Sequence, residues 1–339
     1  VIIDLPSTTT SQVNAKLVDL RAQGGAVALG RVLTLVIAAE DDDRLEEAIE
    51  AANQASREHP SRVIVVAKGS RSAAPRIDGQ IRVGGDAGAS EVIVLRLYGA
   101  LANQGQSAVV PLLLPDAPIV TWWPSTGPKA PAEDPLGQLA QRRITDSAAE
   151  RNPIRALTTR GKSYVEGDTD LAWTRLTKWR AQLVSALDLP PYENVTGATV
   201  TGEADSPSTE LLAGWLAGYL KVPVKRIKSS TAQGIISVSL ERRSGPIELH
   251  RPDGRVGTLT QPGQPTRRIE LQRRDNTDCL IEELRRLDAD EVYEAALHGL
   301  SKLTASANGK AAGKSPAKSA SVKVAPKAQK APKKAEKSV

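Results

Sequence analysis

The stretch RVLTLVIAAEDDDRLEEAIEAANQASREHPSRVIVVAKG, residues 31 to 69, decides the fold. Its opening run RVLTLVIAA (31–39) is apolar and β-branched, the pattern of a strand buried on both faces. Leu45, Ala48, Ile49, Ala52 and Ala55 then recur at helical spacing and give one apolar face. SRVIVVAKG (61–69) is a second buried strand. Strand, helix and strand in about 40 residues form a βαβ unit, which implies a parallel sheet with a right-handed crossover.

Working outward, a helix is expected from Thr10 to Gln23, with Ser and Thr as capping residues before it and Gly24 and Gly25 ending it. Downstream, RIDGQIRVGG (76–85) and SEVIVLRLYG (90–99) are two further strands. The glycine cluster RVGGDAGAS between them lacks the spacing of a phosphate loop and does not open a helix, so a hairpin or bulge turn is expected. SAVVPLLLP leads to APIVTWW (117–123), expected to be the last strand of the sheet, running into the link PSTGPKAPAEDPLG. In DTDLAWTRLTKWRAQLVSAL (168–187), Ala172, Leu176, Trp179, Leu183 and Leu187 share one stripe and predict a single helix. Asp168 and Asp170 stand at its positive end as cap or dipole partners, Trp179 is core, and Trp173 lies at the flank in line with Arg180.

A second unit follows LPPYE. VTGATVTGE is a strand, Ser206 caps a helix with Pro207 in first position, and five short strands follow: 224–228, 235–241, 247–251, 256–260 and 268–271. NTDCLIEELRRL and DADEVYEAALHGL are closing helices. The expected architecture is an α/β N-terminal domain with a mainly parallel sheet over residues 1–190, an α+β C-terminal domain with an antiparallel sheet over 191–300, and a disordered Lys/Ala/Pro-rich tail over 301–339.

Charge sharpens that division. Residues 301–339 hold ten lysines and one acid, a net of +9, so residues 1–300 carry −3 within the chain's total of +6. The single cysteine, Cys279, excludes an internal disulfide and is expected to be a buried apolar residue. Three scattered histidines and no C-x-x-C pair argue against a zinc site. No apolar run reaches the ~18 residues of a membrane span. VIIDLPSTTT lacks the layout of a secretory leader, and Val1 in place of Met suggests a start codon translated literally. The expectation is therefore a cytoplasmic chain.

Motifs for catalysis are missing. GKAAGKS (309–315) is one residue short of Walker A spacing and follows no strand, and RGKSY (160–164) lacks the upstream glycine. No G-x-S-x-G, H-E-x-x-H or Asp-rich metal loop occurs, so neither enzyme chemistry nor a cofactor is expected. Arg142, Arg143, Arg151, Arg155, Arg160 and Lys162 stand against Asp146 and Glu150. They form either a basic surface for an acidic partner or phosphate, or a charged loop on an acidic body.

The motifs GGAVALGRVLTLVI, EEAIEAANQASREHPSRVIVV, VGGDAGASEVIVLRLYG, VVPLLLPDAPIVTWWP, AQRRITDS, GDTDLAWTRLTKWR and LIEELRRLDADEVYEAALHGL occur in that order. Together they resemble the glucose-6-phosphate dehydrogenase assembly protein family, OpcA, of the actinobacterial type, over about residues 1 to 300. The resemblance implies a non-catalytic partner. It would bind glucose-6-phosphate dehydrogenase, promote its active oligomer and raise its activity, supporting NADPH supply in the oxidative pentose phosphate pathway. Cyanobacterial relatives are linked to thioredoxin-dependent control, and with Cys279 alone that feature does not carry over.

The adjacent pair Trp122 and Trp123 then becomes the candidate contact. Side chains on a strand alternate faces, so one ring is expected in the core and the other on the dehydrogenase, with Trp173, Arg142 and Arg143 completing the patch. The competing placement buries both rings between the two domains. Two further readings stay open: nucleic-acid association through the basic tail, and a nucleotide-binding enzyme by analogy of fold.

Overall fold

The computed structural model describes residues 1–23, 31–83, 91–230 and 233–303. Most of the glycine cluster at 83–90 and nearly all of the tail lie outside the described residues.

An eight-stranded sheet organises the first part of the chain. Its strands are β1 (Ile2–Thr8), β2 (Leu33–Glu40), β3 (Ser61–Lys68), β4 (Arg76–Arg82), β5 (Glu91–Tyr98), β6 (Ile119–Trp122), β7 (Arg142–Thr145) and β8 (Asp168–Asp170), in the order β1-β4-β5-β3-β2-β6-β7-β8. The six strands from β5 to β8 run parallel, and β4 and β1 close the far edge antiparallel. The sheet is mainly parallel, as the βαβ pattern requires.

Both faces of the central strands β2, β3 and β5 are covered, which is why these strands are mainly apolar. Leu33, Leu35 and Ile37 pack on one face against α2 (Arg44–Ala55), where Leu45, Ala48, Ile49, Ala52 and Ala55 are all buried. Val36 and Ala38 point the other way into a core shared with Val13 and Leu17 of α1 (Thr10–Gln23) and Val109 of α3 (Gly105–Val109).

Three findings differ from expectation. β6 is not the last strand, because β7 and β8 extend the sheet beyond it. β1 is an additional edge strand; Pro6 and the positive φ of Ser7 sit where its register against β4 shifts, as suits an edge. The helix expected over 168–187 is three elements: β8, the short α5 (Leu171–Thr174) and α6 (Thr177–Leu187). Asp170 caps α5, its carboxylate accepting from the Ala172 N–H, while Asp168 lies inside β8.

The second sheet has the order β10-β9-β11-β12-β13-β14, with β9 (Gly197–Glu203), β10 (Val224–Ser229), β11 (Ile235–Glu241), β12 (Ile247–His250), β13 (Val256–Thr260) and β14 (Arg267–Glu270). Every pair is antiparallel except β9 with β10, which are joined through α7 (Pro207–Leu220). Ser206 caps α7 as expected, its hydroxyl accepting from the Thr209 N–H.

The closing helices part company. α8 (Asn276–Arg285) sends Cys279, Leu280 and Leu284 into the core of the first sheet beside α2, and α9 (Glu291–Gly299) packs on α7 over the second. Trp173, Leu176, Trp179 and Leu183, which precede residue 190, belong to the core of the second sheet. Residues 1–303 fall within one compact unit, Val1–Asn308. No helix among the described residues is long and apolar enough to cross a membrane.

Candidate functional site

β6 carries the tryptophan pair into the middle of the first sheet. Trp122 lies in the core facing α2 and α8, and Trp123 lies in the opposite core with Val36, Ile93 and Val109. Their exposures are 0% and 4%, which corrects the expectation that one ring stays outside. Alternation sends the rings to opposite faces, but both faces of this sheet are covered.

The other three residues singled out by sequence are also interior. Arg142 donates from Nε and a terminal nitrogen to Glu283 of α8, and from the other terminal nitrogen to the Asp288 carbonyl at 2.7 Å. Arg143, on the other face of β7, pairs with Asp168 of β8 and donates to the Ala140 and Glu166 carbonyls. The Trp173 ring donates from Nε1 to Asp290 at 2.7 Å and lies 3.8 Å beneath the Arg180 guanidinium. In the stretch expected to be a basic surface, Arg142, Arg143 and Arg160 are buried and Arg151, Arg155 and Lys162 are exposed. The five sequence candidates form no patch; Trp122 and Trp123 fill the two cores of the first sheet, and Arg142, Arg143 and Trp173 tie β7 and α5 to neighbouring elements.

Sequence reasoning missed the ends of the parallel strands. β2 feeds β3 and β5 on one side, and the chain then returns to β6, β7 and β8 on the other. In open parallel sheets such a switch point leaves a crevice at the carboxyl ends of the strands. Here it holds a knot of polar groups. Asp170 is fully buried and accepts from the Thr145 hydroxyl, the Ser147 N–H and hydroxyl, and the Ala172 N–H. Burial, with the Asp146 charge nearby, raises its pKa. Asp146 takes a two-pronged contact from Arg175 at 2.7 and 2.8 Å. Burial works against the Arg175 charge, and the hydrogen bond and charge of Asp146 outweigh it. Arg160 binds Glu150, the Ser147 hydroxyl and the Pro128 carbonyl. The signal that could have found this knot is the recurrence of Asp and Thr in and at the ends of two short strands, in ITDS and GDTD.

Two cavities open beside the knot, of about 410 and about 230 Å³, and both are lined by Ala148, Arg175 and Arg273. The smaller lies at the switch point itself, against Ala39, Asp42, Pro124 and Ser125. The larger lies toward the second sheet and the start of α7. Burial and the neighbouring Arg175 charge lower the pKa of Arg273, whose outer side is open to solvent. No group of His, Cys, Asp and Glu among the described residues could hold a metal ion. Burial pushes the Cys279 thiol up to about 12, which keeps it an unreactive core group.

Two family models match the chain. Residues 52–162 match the N-terminal domain of a glucose-6-phosphate dehydrogenase subunit, and residues 166–297 match its C-terminal domain. The chain belongs to the OpcA family of glucose-6-phosphate dehydrogenase assembly subunits. No curated protein matches it at a significant level. Among solved structures it is similar to an oxidoreductase from Sinorhizobium meliloti at 7% identity and a TM-score of 0.42, covering 80% of this chain and 96% of that one. A glucose-6-phosphate dehydrogenase in complex with glucose-6-phosphate matches at 10% identity and a TM-score of 0.35, covering 80% and 90%. Neither likeness is close enough to carry an argument about this OpcA-family chain.

Proposed function

We propose that this chain is a non-catalytic assembly subunit that binds glucose-6-phosphate dehydrogenase, promotes its active oligomer and raises its activity, supporting NADPH production. The family match over both halves of the chain supports this reading. In it, Trp122, Trp123, Arg142, Arg143 and Trp173 hold the frame and do not touch the partner, since all five are buried. Contact falls instead to residues that a partner can reach. Trp215 and Tyr219 stand one turn apart on α7 with ring centroids 6.4 Å apart, and Tyr219 is 52% exposed. Aromatic residues of this kind dominate binding energy at interfaces.

The test follows NADPH formation by the host's own glucose-6-phosphate dehydrogenase with and without this chain, alongside size exclusion of the mixture. The expected result is a higher rate and a shared elution peak. An unchanged rate with separate peaks overturns the proposal.

A further inference from the structure

The larger cavity, about 410 Å³, is walled by chemistry of two kinds. Part of the lining is cationic. Arg273 makes no hydrogen bond or ion pair among the described residues, and it lines both this cavity and the smaller one. Arg251 is 6% exposed and spends its terminal nitrogens on the Leu271 and Ile235 carbonyls, so no carboxylate neutralises it by direct contact. The buried Nε atoms of Arg251 and Arg175 have no partner. The fourteen-residue α7 starts at the same cavity with Ser206, Pro207 and Ser208, and a helix start favours negative charge. Glu203 and Asp205 line the same cavity, Asp205 just before Ser206 and Glu203 near enough for its charge to act on Arg273, and Leu176, Trp179 and Ile235 add apolar surface.

We propose that this cavity binds a small phosphate monoester with a hydroxyl-rich body, the phosphate on Arg273 and the α7 N-terminus and the hydroxyls on Glu203 and Asp205. A guanidinium fork with no carboxylate of its own matches phosphate oxygens. The two carboxylates accept from hydroxyls and repel a second anionic group, which favours a monoester over a polyphosphate. The volume suits a small ligand and is tight for a dinucleotide. The proposal is independent of the dehydrogenase reading, because binding is measured on this chain alone.

The experiment is calorimetric titration of the full chain with ribose 5-phosphate, inorganic phosphate and ribose. Arg273→Ala is the matched variant; its side chain makes no hydrogen bond or ion pair among the described residues, and a thermal melt checks that it folds. The expected result is saturable binding of ribose 5-phosphate, weaker binding of inorganic phosphate, none of ribose, and a loss of about tenfold or more for the ester in Arg273→Ala. The assignment is overturned by no saturable ester binding, by equal affinity for ribose or for inorganic phosphate, or by an unchanged affinity in the variant.

Discussion

At the scale of single residues, Trp122 and Trp123 act as a matched pair in separate cores. Replacing either by Ala leaves a cavity and costs about 3–5 kcal/mol, so both single variants should lower the denaturant midpoint markedly. A variant at one position that keeps full stability would contradict the two-core placement. Glu91 contributes to acid stability. It is 1% exposed at the start of β5, with Arg21 and Arg62 on its two oxygens. Burial raises its pKa, but the Arg21 hydrogen bond and the Arg62 and Arg31 charges together lower it below the ordinary value. A depressed carboxyl contributes stability that is present above its unfolded pKa, ~4.3, and lost as pH falls through the folded value. In Glu91→Gln that acid-side loss should be absent. At neutral pH the variant should be weaker by roughly 3–5 kcal/mol, because the buried Arg62 then lacks its counter-charge. Unfolding curves at several pH values check both halves.

Elements were legible in proportion to their apolar content. β2, α2 and β3 were read within a few residues because their side chains are buried by the hydrophobic effect, which leaves a pattern. β7 (RRIT) and β8 (DTD) were missed because they are short, polar and buried through ion pairs, so no alternation marks them as strands. The same cause hid the candidate site. Its Asp146, Asp170 and Arg175 are brought together by strand order, and strand order is not written in local spacing. The contact of α7 with α9 was equally silent. Gly214 and Gly299 cross so closely that a Cβ on Gly299 would run into the Gly214 carbonyl oxygen. Gly→Ala inside a helix ordinarily gains ~0.5–1 kcal/mol. At Gly299 the sign should reverse, with a loss of about 1–3 kcal/mol from overpacking. Gly161 in α4 (Pro153–Lys162) is the control, since a Cβ there meets only Leu297 at an ordinary 3.4 Å. Thermal melts of the two variants should move in opposite directions; a fall for Gly161→Ala as large as for Gly299→Ala would show that the close crossing is not the cause.

For the whole molecule, the decisive asymmetry is charge. Residues 1–300 are net −3 while residues 301–339 are net +9, and both family models end by residue 297. The folded part and the basic segment should therefore have separable consequences. Each phosphate contact releases a counterion, so binding of duplex DNA through ten lysines would be indifferent to sequence and would fall steeply with salt. A chain ended at Leu303 keeps every described element and should lose that binding altogether. It should still raise glucose-6-phosphate dehydrogenase activity to within about twofold of the full chain, because a twofold change is less than ~0.5 kcal/mol and below what losing one good contact costs. The measurements are a salt series of DNA titrations and the NADPH assay, each run on both lengths. Loss of stimulation on truncation would put the lysines in the protein interface. They would then meet an acidic face of the dehydrogenase, and the same salt series run on the NADPH assay should show stimulation by the full chain collapsing at high ionic strength.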